Sequence, residues 1–341
     1  MNLENTLRKY DYKFPAELIA KKPASPRDGA RLLILGKNNQ HDVFKNIGEY
    51  LPNRCVLVVN ETKVLPARFE AIKESGGRVR ILFLKEEKAG WVCLADRNLS
   101  LGANLKAGGI IFAVLSKKEG QYLLRPNKKI KPISFLNKNG QAPLPPYIKN
   151  TPLSKSSVRR EYQTVFAKNN GSAAAPTASL HFTKKLISAL KKEGVEFVKI
   201  TLHVGLGTFA SLNEVNFKKN KLHQEEYFIS KGSAQKLNRA KKTGRKIVAV
   251  GTTSLRAIES ALGEDGIVLA GRGFTDIFIK RAEEIKFIDG LITNFHVPKS
   301  SLLMLVCALG GLNVVKKAYL EAIKRKYRLF SFGDAMLILR G

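Results

Sequence analysis

Short apolar runs of strand type open this chain, and the pattern of apolar and polar positions changes near residue 66. The first two runs are "RLLIL" and "CVLVVN", and the segment between them has the pattern of a helix. These features predict that residues 17–62 begin an α/β domain.

Between residues 66 and 150 the apolar runs are closely spaced and separated by Gly, Asn and Lys turns. This rhythm predicts a small β-barrel or β-sandwich. The runs are "RFEAI", "RVRILFL", "WVCLA", "IIFAVL" and "QYLLRP". The segment "GQAPLPPYI", residues 140–148, is stiffened by its prolines and predicts the return to the first domain.

After residue 150 the chain alternates between segments of helix type and strand type. Helices are predicted near residues 183–193, near residues 231–242 and from Ser254 onward, with "EFVKITLHV" and "KIVAV" as strands between them. Such alternation predicts a largely parallel or mixed sheet. We therefore predict an α/β main domain, mixed-sheet or barrel-like, of residues 1–65 and 151–341, interrupted by a small all-β, barrel-like domain of residues 66–150.

The charge of the chain is far from balanced, because 59 Lys and Arg residues face 28 Asp and Glu residues and give a net charge of +31. Residues 116–160 contain eleven basic residues and a single acidic one, and "KKAYLEAIKRKYR" at 316–328 is a second dense run. A long anionic polymer, and nucleic acid above all, is the partner that this charge predicts. Compositional drift in a Lys- and Asn-rich genome is an alternative source of part of it.

The remaining composition favours a cytoplasmic protein without a membrane anchor. No apolar run reaches the roughly 20 residues of a membrane span, and the N-terminal segment has no apolar signal-peptide core. Cys55, Cys93 and Cys307 are scattered without a metal-binding spacing. We therefore expect buried thiols in a reducing compartment and no metal centre.

Candidate chemistry lies at turns that follow predicted strands, where open α/β folds bind their ligands. In "KIVAVGTTSLRAIESA" the N–H groups at the helix start and the hydroxyls of Thr252 and Thr253 suit a phosphate or carboxylate. N-capping by Thr253 or Ser254 explains the same residues equally well. In "ITLHVGLGTF" a Gly-x-Gly follows His203, which hints at an adenosine site but lacks the rest of a Rossmann motif.

A third turn, in "LITNFHVPKSSLLMLVCALGG", places Asn294 and His296 between a strand and a helix. At least three of the five histidines lie at predicted element ends beside Gly, Thr or Asn. Imidazole carries protons at neutral pH, so this arrangement predicts acid–base chemistry. The sequence has no HxxxH motif and no His/Cys cluster, so we expect this chemistry to proceed without a metal.

Several motifs occur in order over nearly the whole chain, among them "YDYKFPAELIAKKPASPRDGARLLIL", "NETKVLPARF", "PLPPYI", "EYQTVFAKNNGSAAAPTASLHFT" and "VAVGTTSLRAIES". Together they resemble the S-adenosylmethionine:tRNA ribosyltransferase-isomerase family of queuosine biosynthesis. The resemblance implies that ribosyl carbons of S-adenosylmethionine move onto 7-aminomethyl-7-deazaguanine (preQ1) at the wobble position of a tRNA anticodon stem-loop. Epoxyqueuosine-tRNA, adenine and methionine are the implied products. S-adenosylmethionine is then a consumed co-substrate, and we expect a monomer with no separate cofactor.

Such a reaction needs a base for a C5′ hydrogen beside the sulfonium and an acid for the departing adenine. The resemblance suggests His181 and His203 for proton transfer, with Asp334 orienting a histidine or holding a ribose hydroxyl. A capping or ion-pair role is the structural alternative for each expected substrate-binding residue. These residues are Asp28, Arg31, Lys63, Arg68, Thr177, Thr252, Thr253, Arg256, Asn294 and His296.

The uncharged segment "NGSAAAPTASLHFT", residues 170–183, is expected to form a wall of the S-adenosylmethionine pocket. Its small side chains let backbone and hydroxyl groups approach a flat ligand closely. Ser179 replaces the glycine that is usual in the family and should narrow this wall. Arg80 also departs from the family pattern, as do Lys280 and Arg281, and these departures add positive charge.

Two other functions remain open on the residues alone. An S-adenosylmethionine-dependent RNA methyltransferase would fit the charge and the Gly-x-Gly, and it would release S-adenosylhomocysteine. A non-catalytic RNA-binding protein, with the β insert as its reader, would bind tRNA without turnover. Its histidines would be scattered without regard to strand ends.

Overall fold

The computed structural model describes residues 2–118, 120–205 and 212–340. Gly207 and Thr208 of the predicted glycine loop lie outside the described residues. Within the described ranges the α-helices are Leu3–Arg8 (α1), Pro132–Asn139 (α2), Lys155–Glu161 (α3), Lys184–Lys192 (α4), Glu214–Lys219 (α5), Lys231–Lys242 (α6), Thr252–Ser260 (α7), Ser301–Gly310 (α8) and Leu312–Lys324 (α9).

The strands of the described chain fall into three sheets. They are Arg31–Ile34 (β1), Gln40–Val43 (β2), Val56–Asn60 (β3), Thr62–Val64 (β4), Arg68–Lys73 (β5), Arg78–Glu87 (β6), Gly90–Ala95 (β7), Asn104–Ala107 (β8), Ile110–Lys118 (β9), Gln121–Pro126 (β10), Asn169–Ser172 (β11), Glu196–Leu202 (β12), Lys221–Ile229 (β13), Ile247–Val250 (β14), Gly271–Ile277 (β15), Gly290–Asn294 (β16) and Ala335–Leu339 (β17).

The largest sheet is mixed and has the strand order β15-β13-β12-β3-β14-β16-β17-β1-β2. The neighbours β12, β3, β14 and β16 are all parallel, whereas β17 runs antiparallel to β16. The carboxyl ends of the four parallel strands therefore meet at one edge of the sheet, where ligands of α/β folds collect. A two-stranded sheet of β4 and β11 lies beside this edge and carries the start of the segment 170–183.

Strand β3 shows why the centre of this sheet is stable. All five of its residues are buried. Val56 and Val58 pack in one apolar cluster, and Leu57 and Val59 pack in the cluster on the opposite face. A continuous apolar run that alternates between two cores is typical of a strand covered on both faces. The predicted mixed-sheet α/β main domain is confirmed.

Strands β5–β10 form a closed antiparallel barrel in the order β10-β7-β6-β5-β8-β9. Phe69, Trp91 and Phe112 fill its interior together with Phe135 from α2, and their ring centroids are 5.1–6.5 Å apart. Large side chains suffice to fill a barrel of this size, so it encloses a core rather than a ligand cavity. The predicted all-β, barrel-like domain is confirmed, and these elements lie inside the predicted range of 66–150.

The barrel is attached to the main domain through a polar contact at the end of α2. The Arg159 guanidinium, on α3, donates to the carbonyl oxygens of Leu136, Asn137 and Gly140 at 2.8–3.2 Å. Leu136 O also accepts from Gly140 N at 2.7 Å, and a cation at this helix end complements the helix dipole. Arg159 thereby fixes the direction in which the chain returns to the main domain.

Edge strands were the elements that sequence patterns missed. The segment predicted as a helix between "RLLIL" and "CVLVVN" contains β2 followed by a 3-10 helix, Phe44–Tyr50. β2 has the polar sequence Gln-His-Asp-Val, because a strand at the border of a sheet needs little apolar surface. β15, at the opposite border, and its neighbour β13 are also polar.

In the described part of the chain, no single helix is long and apolar enough to cross a membrane. The bent pair α8 and α9, with an angle of 112° between them, passes that test of length and composition together.

Candidate active site

A cavity lies at the carboxyl ends of β14 and β16, where three chain segments converge. Its described lining consists of residues 174–178, residues 251–253 and residues 293–302, together with Pro146, Tyr147, Val204, Leu212, Phe330 and Ser331. The predicted substrate-binding residues Thr177, Thr252, Thr253, Asn294 and His296 therefore lie around one cavity.

The alanine-rich segment forms one wall of the cavity, as expected for residues 170–183. Its backbone is pinned to the loop after β12, because Ala173 N donates to Val204 O at 2.8 Å. Ser172 Oγ also accepts from Val204 N at 2.9 Å. Ser179 does not contribute to this wall: it is fully buried, and its hydroxyl has no hydrogen-bond partner among the described residues. The expected narrowing by Ser179 is therefore not observed.

The start of α7 contributes free backbone N–H groups to the second wall. Gly251 is the N-cap residue, and no side chain caps this helix. Its φ of +88° belongs to the left-handed region that glycine tolerates best. Ser254, one of the two predicted caps, instead donates its hydroxyl to Val250 O. The uncapped helix start, beside the buried Thr252 and Thr253, suits an anionic ligand group.

Asn294, at the end of β16, lines the cavity and contains a buried acceptor that is unpaired. Its side chain is only 2% exposed. The amide nitrogen donates to Phe330 O at 3.1 Å and lies 3.3 Å from His181 Nε2. The amide oxygen has no hydrogen-bond partner among the described residues. Since an unpaired buried acceptor is costly, a ligand that donates a hydrogen bond here is favoured.

His181 lies behind Asn294 and does not line the cavity. It follows Ala178 in the 3-10 helix Thr177–His181, and its ring packs against Phe44 with a centroid distance of 5.0 Å. Burial lowers its pKa to about 3, helped by the positive charges of Arg328 and Arg27. A neutral His181 accepting at Nε2 fixes the orientation of the Asn294 amide.

His296 is the histidine that lines the cavity in the described structure. Thr293 Oγ1 lies 2.8 Å from its Nε2, its backbone N–H donates to Tyr319 Oη at 3.0 Å, and its carbonyl accepts from the Tyr12 hydroxyl. Burial lowers its pKa to about 4, so the imidazole is neutral at pH 7. Tyr12 and Tyr319, which sequence reasoning missed, therefore hold this histidine in place.

His203 borders a different pocket, on the outer side of the sheet. Its Nδ1 is 2.8 Å from Thr62 Oγ1, and burial lowers its pKa. A Cβ at Gly171 would lie within 2.8 Å of the His203 ring, so only glycine permits this close approach. We call the pocket that His203 borders the outer pocket. It is lined by Asn169, Asn170, Gly171, Thr201, His203, Glu226, Tyr227, Phe228 and Arg272.

Asp334 and Arg31 make structural contacts with residues near the end of the chain. The Asp334 carboxylate is 1% exposed and accepts from the Arg328 guanidinium at 2.9 Å. It also accepts from the backbone N–H of Arg31 at 3.1 Å. The Arg31 guanidinium stacks on Tyr327 at 3.8 Å and donates to Arg325 O. The structure brings neither predicted residue to the cavity, since local ion pairs and stacking engage both.

Asp28 and Arg256 are also engaged away from the cavity. Asp28 accepts from the Thr183 hydroxyl at 2.6 Å, next to the start of α4. Arg256 forms a buried ion pair with Glu225 at 2.5 Å. Glu225 in turn accepts from Gly205 N at 2.7 Å. Arg256 therefore helps to hold Gly205, just after β12, and does not line the cavity.

Lys63 and Arg68 do not line the cavity. Lys63 is exposed on β4, beside Asn170 of β11. Arg68 borders a groove between the barrel and the main domain, and this groove reaches the cavity at Pro146, which lines both. Arg80, Lys149 and Lys155 border the same groove, with Asp96 paired to Arg80 at 2.9 Å. This basic groove suits a phosphate backbone.

The described ranges contain no group of three or more His, Cys, Asp or Glu residues arranged to hold a metal ion.

Comparisons with known proteins agree with this architecture. A family model described as "Queuosine biosynthesis protein" matches residues 7–338. Proteins named S-adenosylmethionine:tRNA ribosyltransferase-isomerase from Carboxydothermus hydrogenoformans and Clostridioides difficile are 45% and 44% identical to the chain. The alignments cover 98% and 96% of this chain and 99% and 98% of those proteins.

A solved structure is similar as well. The crystal structure of the S-adenosylmethionine tRNA ribosyltransferase from Thermotoga maritima shares 34% identity with the chain and superposes with a TM-score of 0.55. The match covers 97% of this chain and 100% of that one.

Proposed function

The chain belongs to the queuosine biosynthesis protein family, and from that membership we propose how its cavity carries out the family's reaction. It is a transferase-isomerase enzyme that takes S-adenosylmethionine and tRNA as substrates. The resemblance noted in its motifs is confirmed. An RNA methyltransferase and a non-catalytic RNA-binding protein are not favoured.

In the proposed reaction, the tRNA carries preQ1 at the wobble position of its anticodon stem-loop. The aminomethyl nitrogen of preQ1 receives the ribosyl carbons of S-adenosylmethionine, which rearrange to an epoxycyclopentane. A proton leaves C5′ beside the sulfonium, and adenine and methionine depart. The product is epoxyqueuosine-tRNA.

The observation that carries this proposal is the unpaired Asn294 oxygen in a cavity walled by alanines. A flat purine fits against small side chains, and its exocyclic amine supplies the hydrogen-bond donor that the Asn294 oxygen lacks. The free N–H groups at the start of α7 suit the methionine carboxylate. One ligand with a purine and a carboxylate therefore matches both unsatisfied features of the cavity.

His296 is the proposed proton carrier. A neutral imidazole does not repel the sulfonium cation, and Thr293 accepting from Nε2–H leaves a lone pair on Nδ1 for the C5′ proton. Because burial lowers the His296 pKa to about 4, the protonated ring is a stronger acid than an ordinary imidazolium. It therefore gives the same proton readily to the departing adenine. His181 acts through Asn294 as a positioning residue.

Product analysis tests the proposed function. The protein is incubated with labelled S-adenosylmethionine and preQ1-tRNA, and the small molecules are separated. Adenine and methionine are expected in equal amounts, together with label in the tRNA. S-adenosylhomocysteine would instead indicate a methyltransferase, and tRNA binding without any product would indicate a binding protein.

We also propose that the enzyme works in the cytoplasm, as a monomer and without a metal or tightly bound cofactor. The described thiols of Cys55, Cys93 and Cys307 are buried and unpaired, as suits a reducing compartment. Sedimentation should give a single species of 37.8 kDa. Turnover should also be insensitive to chelators, and loss of activity on chelation would contradict the metal-free mechanism.

A further inference from the structure

The solvent face of the sheet border carries aromatic side chains that the fold does not bury. Phe274 on β15 is 65% exposed, and Phe228 on β13 is 40% exposed. In most sheets the outward positions of an edge strand are polar, so exposed phenylalanines indicate a binding surface. The cavity and the groove of the proposed active site do not include Phe274.

The strand register brings these two rings together with Arg272. Phe228 is paired with Arg272, and Glu226 is paired with Phe274, in the antiparallel ladder of β13 and β15. Residues two apart on a strand share a face, so all four side chains project to the same side. Phe228 and Phe274 are diagonal neighbours, a separation of roughly 7–8 Å between backbone positions. We call these four residues the aromatic face.

The aromatic face continues into the outer pocket, which is polar. Phe228, Arg272 and Glu226 line that pocket together with His203 and Asn170. His203 Nδ1 is paired with Thr62, so Nε2 is the ring's remaining polar atom. The Asn170 side chain is exposed. Stacking rings beside hydrogen-bonding groups are the combination that recognises unpaired nucleotides.

The charge of this region also favours a nucleic-acid occupant. Arg272 is 77% exposed at its side chain, and Lys63 is exposed beside Asn170 across the ladder of β4 and β11. The acidic neighbour Glu226 pairs with Arg272 at 3.1 Å, but an exposed pair of this kind is weak and exchanges readily for a phosphate. The net charge of +31 attracts a polyanion to the surface as a whole.

We propose that the aromatic face and the outer pocket bind an unpaired nucleotide of the tRNA. The base stacks on Phe228 and Phe274, its edge meets Asn170 and His203, and the adjoining phosphate pairs with Arg272. This inference rests on the proposed function for the identity of the RNA. It assigns His203 to RNA binding rather than to proton transfer.

A pair of leucine substitutions, Phe228→Leu with Phe274→Leu, tests the stacking directly. Leucine keeps an apolar side chain but has no π-face, whereas Phe228→Tyr with Phe274→Tyr keeps it. The probes are an RNA hairpin with 2-aminopurine in its unpaired loop and a fully paired RNA duplex of equal length. The double leucine variant should bind the hairpin at least about fivefold more weakly and lose the 2-aminopurine quenching. The double tyrosine variant should retain both, and duplex binding should not change.

Matched controls separate this inference from the proposed function. Leu320→Ala removes a 56% exposed apolar side chain from α9 and should leave hairpin binding unchanged. S-adenosylmethionine affinity should be the same in all variants, which also shows that they fold. A wild-type protein that gives no adenine, yet binds the hairpin through these rings, would refute the proposed function and support the aromatic face.

Three results would overturn the aromatic face. In the first, hairpin binding is unaffected by the double leucine substitution while turnover on tRNA is normal. In the second, hairpin and duplex binding fall equally. In the third, the wild-type protein forms a dimer that the leucine substitutions disperse, which would make the rings a protein interface.

Discussion

His203 and Val204 are neighbours in sequence, yet they border two clefts of opposite character. Val204 lines the active-site cavity, whose described lining is mostly uncharged. His203 lines the outer pocket, which is open and contains Arg272, Glu226 and an exposed phenylalanine. Because successive residues of an extended segment point to opposite sides, one strand end serves both clefts.

The segment 170–183 is divided in the same way. Asn170 and Gly171 belong to the outer pocket, residues 174–178 form a wall of the cavity, and His181 supports Asn294 from behind. Hydrogen bonds to a small ligand are stronger where water is excluded, whereas an open charged face attracts a polymer. Under the proposed assignments, S-adenosylmethionine and the RNA are recognised by different kinds of interaction on two sides of one chain segment.

The largest expected effect distinguishes the role of His296 from that of His203. His296→Ala should lower the turnover number about 10²–10⁴-fold, the usual contribution of a positioned acid or base. Its affinity for S-adenosylmethionine should change little. His203→Ala should retain near-normal turnover at saturating tRNA and should weaken hairpin binding. Rates of adenine release over a range of tRNA concentrations measure both, and the reverse pattern would contradict the assignment of roles.

Asn294 should decide which purine the cavity accepts. We expect the wild-type protein to prefer S-adenosylmethionine over its inosine analogue by roughly 5–150-fold, since the analogue leaves the buried Asn294 oxygen without a donor. Asn294→Ala should bind both ligands with similar, weaker affinity. Calorimetric titration with each ligand measures the preference. If the preference survives in Asn294→Ala, another group reads the purine.

The two buried histidines near Asn294 should also make stability depend on pH. Burial lowers the pKa values of His181 and His296 to about 3 and about 4, so the folded chain keeps both neutral where the unfolded chain protonates them. The contribution of these two neutral histidines to the free energy of unfolding is complete above pH 6.5 and decreases as the pH falls. The free energy of unfolding should decrease by up to roughly 1.4 kcal/mol per pH unit for each histidine.

Urea unfolding between pH 5 and pH 7.5 measures this dependence. His181→Phe should reduce it by one histidine's share, up to roughly 1.4 kcal/mol per pH unit, since phenylalanine binds no proton while His296 remains titratable. The pKa of Glu321 is lowered to about 2, mainly by hydrogen bonds from Asn39 and His41, and its contribution is lost only at lower pH. A wild-type protein whose stability does not change over this range would show that the two histidines are not buried neutral groups.

The smallest expected effect concerns the basic groove. Replacing Lys149 and Lys155 by Gln should reduce the slope of log affinity for tRNA against log salt by about two, one for each lost phosphate contact. Lys191→Gln with Lys192→Gln, on α4 outside the groove, is the matched control. Filter-binding titrations at several salt concentrations measure the slopes. Equal slopes for the two double variants would show that the groove does not bind the phosphate backbone.

Sequence patterns located the strand-end turns of the site because those signals are local. A short apolar run, a Gly-Thr-Thr-Ser turn and a helical pattern follow one another directly, and Thr252 and Thr253 do line the cavity. The alanine-rich wall was predictable for the same reason, since its lack of charge and bulk is visible in a single segment.

Long-range partners could not be read from the sequence. Asp334, Arg31 and Arg256 look like ligand-binding residues until the fold brings Arg328, Tyr327 and Glu225 beside them. The sequence also could not show which histidine faces the cavity. It depends on the rotation of the short 3-10 helix that turns His181 inward and on the tyrosines that hold His296.

The binding of S-adenosylmethionine to a matched pair of obstructing variants tests the division between the two clefts most directly. Thr177→Phe places a ring into the cavity, and Asn170→Phe places the same ring into the outer pocket. Calorimetric titration of the two variants should show that Thr177→Phe no longer binds S-adenosylmethionine and that Asn170→Phe binds it as the wild type does. Normal binding by Thr177→Phe together with loss of binding by Asn170→Phe would contradict the account.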